Sequence, residues 1–160
     1  MTRLPARKKA KAPAARHGRR ISPTFIARIE NEARGFFLGS RGSHDWDHTR
    51  RVLRLCVRIG RKEGADLGVL KLAALLHDIG RGQEDQSGGR VCHGRAGAAM
   101  AGKLLALYGL DAGTARDVVH CIRTHRFRKK TAPQTLEAKV LFDADKLDSI
   151  GAVGIGRAFL

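Results

Sequence analysis

Apolar residues recur along most of this chain at helical spacing, and no segment alternates apolar and polar positions as a half-buried strand does. Val52, Leu55, Cys56 and Ile59, for example, occupy positions i, i+3, i+4 and i+7 of one helix face. Glycines and a Ser22-Pro23 start signal divide the apolar segments. The pattern predicts an all-α fold with six helices, at about residues 22–38, 45–64, 65–79, 93–107, 112–126 and from 133–137 toward 160.

The segment between the third and fourth predicted helices, residues 80–91, is polar and rich in glycine. Because it has no apolar periodicity, we predict a mobile loop there. This segment directly follows His77 and Asp78, which end the apolar run of residues 69–76. A polar pair at the end of a buried helix is costly unless each group is hydrogen-bonded or coordinates an ion.

Residues 1–20 contain eight Lys and Arg residues, no acidic residue and no apolar periodicity. We predict that they form a disordered basic arm, followed by one domain at residues 21–160. The arm carries half of the net charge of +16, so the domain is basic as well. This charge suits a phosphate-bearing substrate or nucleic acid, although arginine-rich solvated faces would explain it equally well.

Two classes of protein are disfavoured by the sequence. No run approaches the roughly 18 apolar residues of a membrane span, and no signal-peptide core follows the N-terminus. The cysteines Cys56, Cys92 and Cys121 form no C-x-x-C pair, which argues against a zinc cluster and for small core residues in a reduced protein. We therefore expect a cytoplasmic protein without a membrane partner, whose oligomeric state the sequence does not indicate.

Metal ligands are the chemistry that the polar residues suggest. His48 begins the second predicted helix, His77 and Asp78 end the third, and Asp145 lies on the last. Ligands from different elements can meet at helix ends without burying unsatisfied backbone groups. Mixed imidazole and carboxylate donors suit a divalent ion of manganese, iron, nickel, cobalt, zinc or magnesium.

Two further histidines could hold a second ion. His93 opens the fourth predicted helix, and His125 follows Val118 and Ile122 on the apolar face of the fifth, whereas His120 lies nearly opposite. The alternative is that His93 is a polar helix-start residue and His125 a hydrogen-bonded core residue. The sequence therefore predicts one divalent ion per chain, with His93 and His125 as candidates for a second.

Three motifs in order resemble the HD-domain superfamily of metal-dependent phosphohydrolases. They are Asp45-Trp46-Asp47-His48, His77-Asp78-Ile79-Gly80, and Asp143-Ala144-Asp145-Lys146-Leu147-Asp148. The resemblance implies a compact helical bundle that hydrolyses a nucleotide or a related small phosphate ester. It also selects Asp145 over Asp143, because the family's ligand is the aspartate immediately before a Lys-Leu dipeptide.

The chain departs from its apparent relatives in two ways. Some nucleotidases of the superfamily have a glutamate three residues after the His-Asp aspartate, and here that position is Arg81. The sequence resembles instead the HDIGK form of cyclic-dinucleotide phosphodiesterases, with arginine in place of its lysine, although no GYP triplet is present. The sequence also stops soon after Arg157, where relatives continue with further helices, so we expect a domain that is short at its C-terminus.

Roles follow for residues around these ligands. Asp47 is a candidate to orient His48 or to act as a general base, and Arg81 and Lys146 are candidates for catalysis. The cations expected to bind substrate phosphate, each of which could instead be a surface residue, are Arg51, Arg81, Lys146 and Arg157.

The sequence thus favours a metal-dependent phosphohydrolase in which a metal-activated water attacks phosphorus. Its partner would be a small phosphorylated substrate such as a nucleotide. The alternative is a non-catalytic HD module whose arm, residues 1–20, binds nucleic acid. A third hypothesis is an oxygenase, because some HD proteins with six metal ligands bind a pair of iron ions and cleave carbon–carbon bonds.

Overall fold

The computed structural model describes residues 21–37, 46–126 and 132–150. These residues contain seven α-helices and no strand, which confirms the all-α prediction. The predicted arm and Arg157 lie outside the described residues. The helices are α1 (Pro23–Gly35), α2 (Trp46–Glu63), α3 (Leu67–Leu76), α4 (Arg81–Gln86), α5 (His93–Leu107), α6 (Ala112–Thr124) and α7 (Leu136–Asp148).

Side-chain caps fix the start of four helices. The Ser22 hydroxyl accepts the backbone N–H of Phe25 at the start of α1, where Pro23 occupies the first turn. Asp66, Asp111 and Thr135 cap α3, α6 and α7 in the same way. Each cap satisfies an N–H that has no partner within its helix and contributes about 1 kcal/mol.

The predicted mobile loop at residues 80–91 contains a helix instead, which is a correction. The backbone N–H groups of Gln83 and Glu84 both donate to the Gly80 carbonyl, and Arg81 bonds to the Glu84 carboxylate one turn further on. Local hydrogen bonds and an i, i+3 ion pair therefore order a segment that has no apolar face of its own. The third helix also ends at Leu76, earlier than predicted, and residues 77–80 form turns.

Helix α3 lies at the centre of the molecule. Seven of its ten residues are buried, and it packs against α1, α2, α5, α6 and α7. Burial of a leucine side chain stabilises the fold by about 1.5–3 kcal/mol, so Leu70, Leu72, Leu75 and Leu76 anchor α3 firmly. The chain therefore leaves α3 inside the bundle, and His77 and Asp78 are buried as a consequence.

The cysteines are reduced, and two of the three belong to the core. Cys56 and Cys121 are buried, whereas Cys92 is only partly covered. In the part of the chain that the structure describes, no helix has the length and apolar character needed to cross a membrane.

A glycine contact brings the end of α3 against the start of α5. A Cβ atom on Gly80 would lie 2.4 Å from the backbone oxygen of His93 and 2.5 Å from the backbone nitrogen of Gly97. These atoms belong to the backbone, so they cannot move aside as a flexible side chain would. The close approach places His93 beside Asp78, with 3.3 Å between the His93 Nε2 and Asp78 Oδ1 atoms.

We expect the substitution Gly80→Ala to destabilise the protein by about 1–3 kcal/mol, because the added methyl group forces the two backbones apart. Gly82→Ala is the matched control, since nothing lies within 4 Å of a Cβ atom at Gly82. The midpoint of urea unfolding, measured for each variant and for the wild-type protein, gives the change in stability. Equal midpoints for the two variants would show that the glycine contact does not constrain the fold.

Candidate metal centre

The first group of potential ligands consists of His48, His77 and Asp145. They come from the first turn of α2, the end of α3 and the last turns of α7. The His48 and His77 Nε2 atoms are 3.3 Å apart, and Asp145 Oδ1 lies 3.3 Å from His48 Nε2 and 3.9 Å from His77 Nε2. Three donor atoms from distant parts of the sequence thus converge on one point.

The second group consists of Asp78, His93 and His125. The Nε2 atoms of the two histidines are 3.2 Å apart, and Asp78 Oδ1 lies 3.3 Å from His93 Nε2 and 3.7 Å from His125 Nε2. His93 is the first residue of α5 and His125 follows the last residue of α6, so helix ends again supply the donors.

Asp78 joins the two groups into one site. Its other carboxylate oxygen, Oδ2, lies 3.6 Å from His77 Nε2 and 3.8 Å from His48 Nε2. One oxygen of Asp78 therefore faces each group, and the six residues form one cluster of neighbouring donor atoms. Five of them are almost fully buried, and Asp145 is partly exposed.

Backbone carbonyls orient two of the histidines. His77 Nδ1 lies 2.8 Å from the Ala74 oxygen, and His125 Nδ1 lies 2.6 Å from the Ile122 oxygen. A carbonyl oxygen only accepts hydrogen bonds, so the Nδ1 atom must carry the proton in each case. The Nε2 atom of each neutral ring then presents a lone pair to the centre of the site.

Carboxylates orient the other two. His48 Nδ1 donates to Asp148 Oδ2 at 2.7 Å, and His93 Nδ1 donates to the Glu84 carboxylate. The four Nε2 atoms thus point inward together with oxygens of Asp78 and Asp145.

This donor set fits a divalent cation. Two neutral imidazoles that both hold their proton on Nδ1 cannot hydrogen-bond to each other through Nε2. Yet the Nε2 atoms of His48 and His77 are 3.3 Å apart, and those of His93 and His125 are 3.2 Å apart. A cation that accepts these lone pairs would remove the mismatch. Imidazole nitrogens with carboxylate oxygens are the mixed donors typical of first-row divalent metal sites.

Burial favours the neutral form of two of the ligand histidines, His77 and His93. It lowers the pKa of His77 to about 4 and that of His93 to about 4, although the nearby Asp78 carboxylate opposes the shift. Burial alone would also lower the pKa of His48, but its bonds with Asp145 and Asp148 raise it overall. Burial would raise the pKa of Asp145, but the His48 hydrogen bond and the neighbouring positive charges lower it well below its usual range.

Sequence analysis did not identify Asp148 as part of the site. Its carboxylate accepts from His48 Nδ1 at 2.7 Å and from Arg51 Nε at 2.7 Å. Asp148 lies three residues after Asp145 on α7, so both carboxylates project from one face of that helix. That spacing is the signal that could have revealed it.

Glu84 is the second residue that sequence analysis missed. Its carboxylate accepts a hydrogen bond from His93 Nδ1, and it also accepts hydrogen bonds from Arg126 at 2.8 Å and from Arg81 at 3.3 Å. Burial would raise the pKa of Glu84, but the His93 hydrogen bond and the Arg126 charge lower it to about 2. Glu84 belongs to α4, in the segment predicted to be a loop, so no periodic pattern pointed to it.

The cations predicted to bind phosphate have partners at the site. Arg51 makes two hydrogen bonds to Asp148, and Arg81 Nε donates to Asp78 Oδ1 at 3.1 Å. Lys146 Nζ donates to Asp145 Oδ2 at 2.6 Å and to the backbone oxygen of His125 at 3.3 Å. The Lys146 side chain is 41% exposed, which places its ammonium group at the rim.

Asp47 and His120 lie apart from the centre. The Asp47 side chain is 72% exposed and lies 4.0 Å from Arg50, and the carboxylate that orients His48 is Asp148. A role for Asp47 as a base stays a prediction. His120 Nε2 accepts the backbone N–H of Gln134 at 3.2 Å.

Known proteins share this arrangement of helices. A model of the HD domain matches residues 45–150. A predicted HD superfamily hydrolase from an uncultured Thermotogales bacterium superposes with a TM-score of 0.73 at 40% identity, covering 83% of this chain and 73% of that one.

Two named bacterial proteins are also similar. YpgQ of Bacillus subtilis is 38% identical over 121 residues, which are 73% of this chain and 56% of YpgQ, so the chain spans just over half of that relative. A crystal structure of YpgQ in complex with ADP gives a TM-score of 0.65 at 35% identity, covering 84% of this chain and 65% of that one. Ribonuclease Y of Chloroflexus aurantiacus is 31% identical over 108 residues, 68% of this chain and 19% of that enzyme.

We expect Asp148→Asn to weaken divalent-ion binding by about 10–100-fold, because an amide holds the His48 ring less firmly than a carboxylate does. Asp143→Asn is the matched control, since Asp143 is exposed on the same helix. Calorimetric titration of metal-depleted protein with Mn²⁺ gives both affinities. Wild-type affinity in Asp148→Asn would mean that His48 needs no such support.

Proposed function

This chain belongs to the HD-domain family of metal-dependent hydrolases, and we propose that it hydrolyses a nucleotide or a similar small phosphate ester. The observation that carries the proposal is the convergence of four imidazole Nε2 atoms and two carboxylates in one buried space. Such a donor set has little structural purpose without a cation, because it places lone pairs and negative charges against one another.

The ligands of the first ion are His48, His77, Asp78 and Asp145. His48 and His77 offer Nε2 atoms that their Nδ1 partners hold in place, and Asp78 and Asp145 supply negative charge. A divalent ion held by these residues would lower the pKa of a water molecule and polarise a phosphoryl oxygen. The residues themselves bind, orient and exclude bulk water, since all except Asp145 are almost fully buried.

His93 and His125 are the ligands of a second ion that shares Asp78 with the first. This proposal is supported by the two oxygens of Asp78, of which Oδ1 faces His93 and His125 while Oδ2 faces His48 and His77. An aspartate with one oxygen toward each group is suited to link two cations.

Lys146 and Arg81 are the groups that meet the substrate phosphates. The Lys146 ammonium group lies between Asp145 and the His125 carbonyl at the exposed rim, where an incoming phosphate can reach it. Arg81 lies beside Asp78 with a quarter of its side chain exposed, and its planar guanidinium can hold two phosphate oxygens. The structure of YpgQ with ADP supports a nucleotide as the substrate.

An RNA phosphodiester is the second candidate substrate. The similarity to ribonuclease Y favours it, since the same chemistry at phosphorus would cleave a chain as well as a nucleotide. A non-catalytic module that binds nucleic acid through residues 1–20 is the alternative to both.

We expect the purified protein to release phosphate or pyrophosphate from at least one member of a nucleotide panel when supplied with Mn²⁺, Mg²⁺, Co²⁺, Ni²⁺, Fe²⁺ or Zn²⁺. Asp78→Ala should lower kcat/KM by about 10³-fold or more, since the ion is worth several kcal/mol of transition-state stabilisation. Asp85→Ala, an exposed aspartate of α4, is the control and should keep full activity.

Three outcomes of that panel decide between the candidates. Cleavage of an oligoribonucleotide without activity on any nucleotide would favour the RNA substrate. Tight ion binding without turnover on nucleotides or RNA would favour the non-catalytic module. Absence of ion binding would overturn the metal-dependent chemistry altogether.

Metal analysis tests the second ion separately. We expect two ions per wild-type chain and one in the His93→Ala, His125→Ala double variant, because His48, His77, Asp78 and Asp145 remain. His120→Ala removes a histidine that contacts Gln134 instead, so it should keep both ions. A plateau of one ion in the wild-type protein would reduce His93 and His125 to substrate contacts or packing.

A further inference from the structure

The outer face of α2 carries a line of exposed cations. Four residues of an α-helix rise about 6 Å, so cations at i, i+4 and i+8 follow one another along a single face at that interval. The cations run for about 18 Å, which is about two thirds of the length of this 18-residue helix. They are Arg50, Arg54, Arg58, Arg61 and Lys62, and we refer to them as the α2 arginine line.

Carboxylates do not balance this line. Arg50 lies 4.0 Å from the exposed Asp47. Within residues 21–37, 46–126 and 132–150, no acidic group lies within 4.0 Å of the other four cations of the line. Like charges at i, i+4 positions destabilise a helix, and the pairs Arg50–Arg54 and Arg54–Arg58 both have this spacing. The helix therefore bears a repulsion that an external polyanion would relieve.

The rest of α2 is fixed in the fold. Val52, Cys56 and Gly60 are buried on its inner face, and the helix packs against α3 and α7. The cations are consequently held on the outer face of the helix and cannot turn inward. Arg50 lies two residues after His48, so the two side chains point to nearly opposite sides of α2, and the row lies on the face that turns away from the metal centre.

From this geometry we propose that the α2 arginine line binds the phosphodiester backbone of a single-stranded nucleic acid. Guanidinium groups match phosphate oxygens in shape and charge. A single row of cations about 18 Å long suits one strand, and it is longer than a free nucleotide needs. This binding requires neither a metal ion nor turnover, so it does not depend on the proposed hydrolase activity.

A membrane surface fits this face less well. A helix that binds at a lipid interface inserts an apolar face beside its basic one. The apolar residues of α2 face the core, where Val52 and Cys56 are buried. An extended anionic strand can bind to the cations alone, without an exposed apolar face. The surface is therefore complementary to such a strand.

The test measures fluorescence anisotropy of labelled 15-nucleotide strands with the full-length chain, in EDTA, between 50 and 300 mM KCl. The double variant Arg54→Gln, Arg58→Gln removes two charges from the line. Arg116→Gln, Arg123→Gln removes two exposed charges from α6 and is the matched control. Residues 1–20 are the same in all three proteins, so their contribution cancels.

We expect Arg54→Gln, Arg58→Gln to weaken binding about tenfold or more at low salt, and to reduce the slope of log K against log [salt] by about 1.4, which is two phosphate contacts on a single strand. The control should stay within about twofold of the wild-type affinity. Melting curves verify that all three proteins are folded, since the replaced side chains are exposed.

Four results of the comparison between variants and ligands would overturn the proposal, and a fifth comes from comparing RNA with DNA. The four are an equal loss in the two double variants, no loss in either, tighter binding of a duplex of the same length, and stronger binding to phosphatidylserine vesicles than to any strand. RNA and DNA strands form two arms of the experiment. Similar affinity for both supports recognition of the backbone, whereas a preference above about tenfold would contradict it.

Discussion

The rest of this structure depends on the burial of four imidazole rings whose Nε2 atoms face one another. Neutral rings in this arrangement repel through their lone pairs, and a buried polar group without a partner costs free energy. The fold must therefore hold each ring from its other side. The core of α3, the glycine contact between Gly80 and Gly97 and the short helix α4 all bring a ring or its Nδ1 partner into place.

The four rings are held in two different ways. His77 and His125 each follow the last residue of a helix, and each donates to a carbonyl three residues earlier. Carbonyls in the last turn of a helix have no partner within it, so the helix end itself orients the ligand. His48 and His93 begin their helices and have no such carbonyl, and they depend on carboxylates from α7 and α4.

This difference explains how much of the site the sequence could predict. The helices follow from apolar periodicity, and the four histidines and Asp78 were proposed as ligands from polar residues at helix ends and on apolar faces, which are local patterns. The choice of Asp145 over Asp143 came from the resemblance to the HD-domain superfamily. The three-residue spacing from Asp145 could have pointed to Asp148 as part of the site, but its pairing with His48, 100 residues away, could not be assigned from local spacing. Glu84 stands in a segment without periodicity, so no pattern pointed to it. Helix α4 was missed for the same reason, since hydrogen bonds and an ion pair order it in place of apolar packing.

The charges of the molecule divide into two sets with different consequences. Each carboxylate of the site has a cation beside it, in the pairs Asp78–Arg81, Asp145–Lys146, Asp148–Arg51 and Glu84–Arg126. These pairs leave the pocket close to electrically neutral, so a bound divalent ion would make it positive and favour a substrate that carries phosphate charge. The α2 arginine line lacks such balance, and it lies on the outer face of α2, opposite the face that carries His48. Paired cations therefore set the charge that a phosphate meets at the metal centre, while the unpaired charge of the α2 arginine line acts on anions at a separate surface, the outer face of α2.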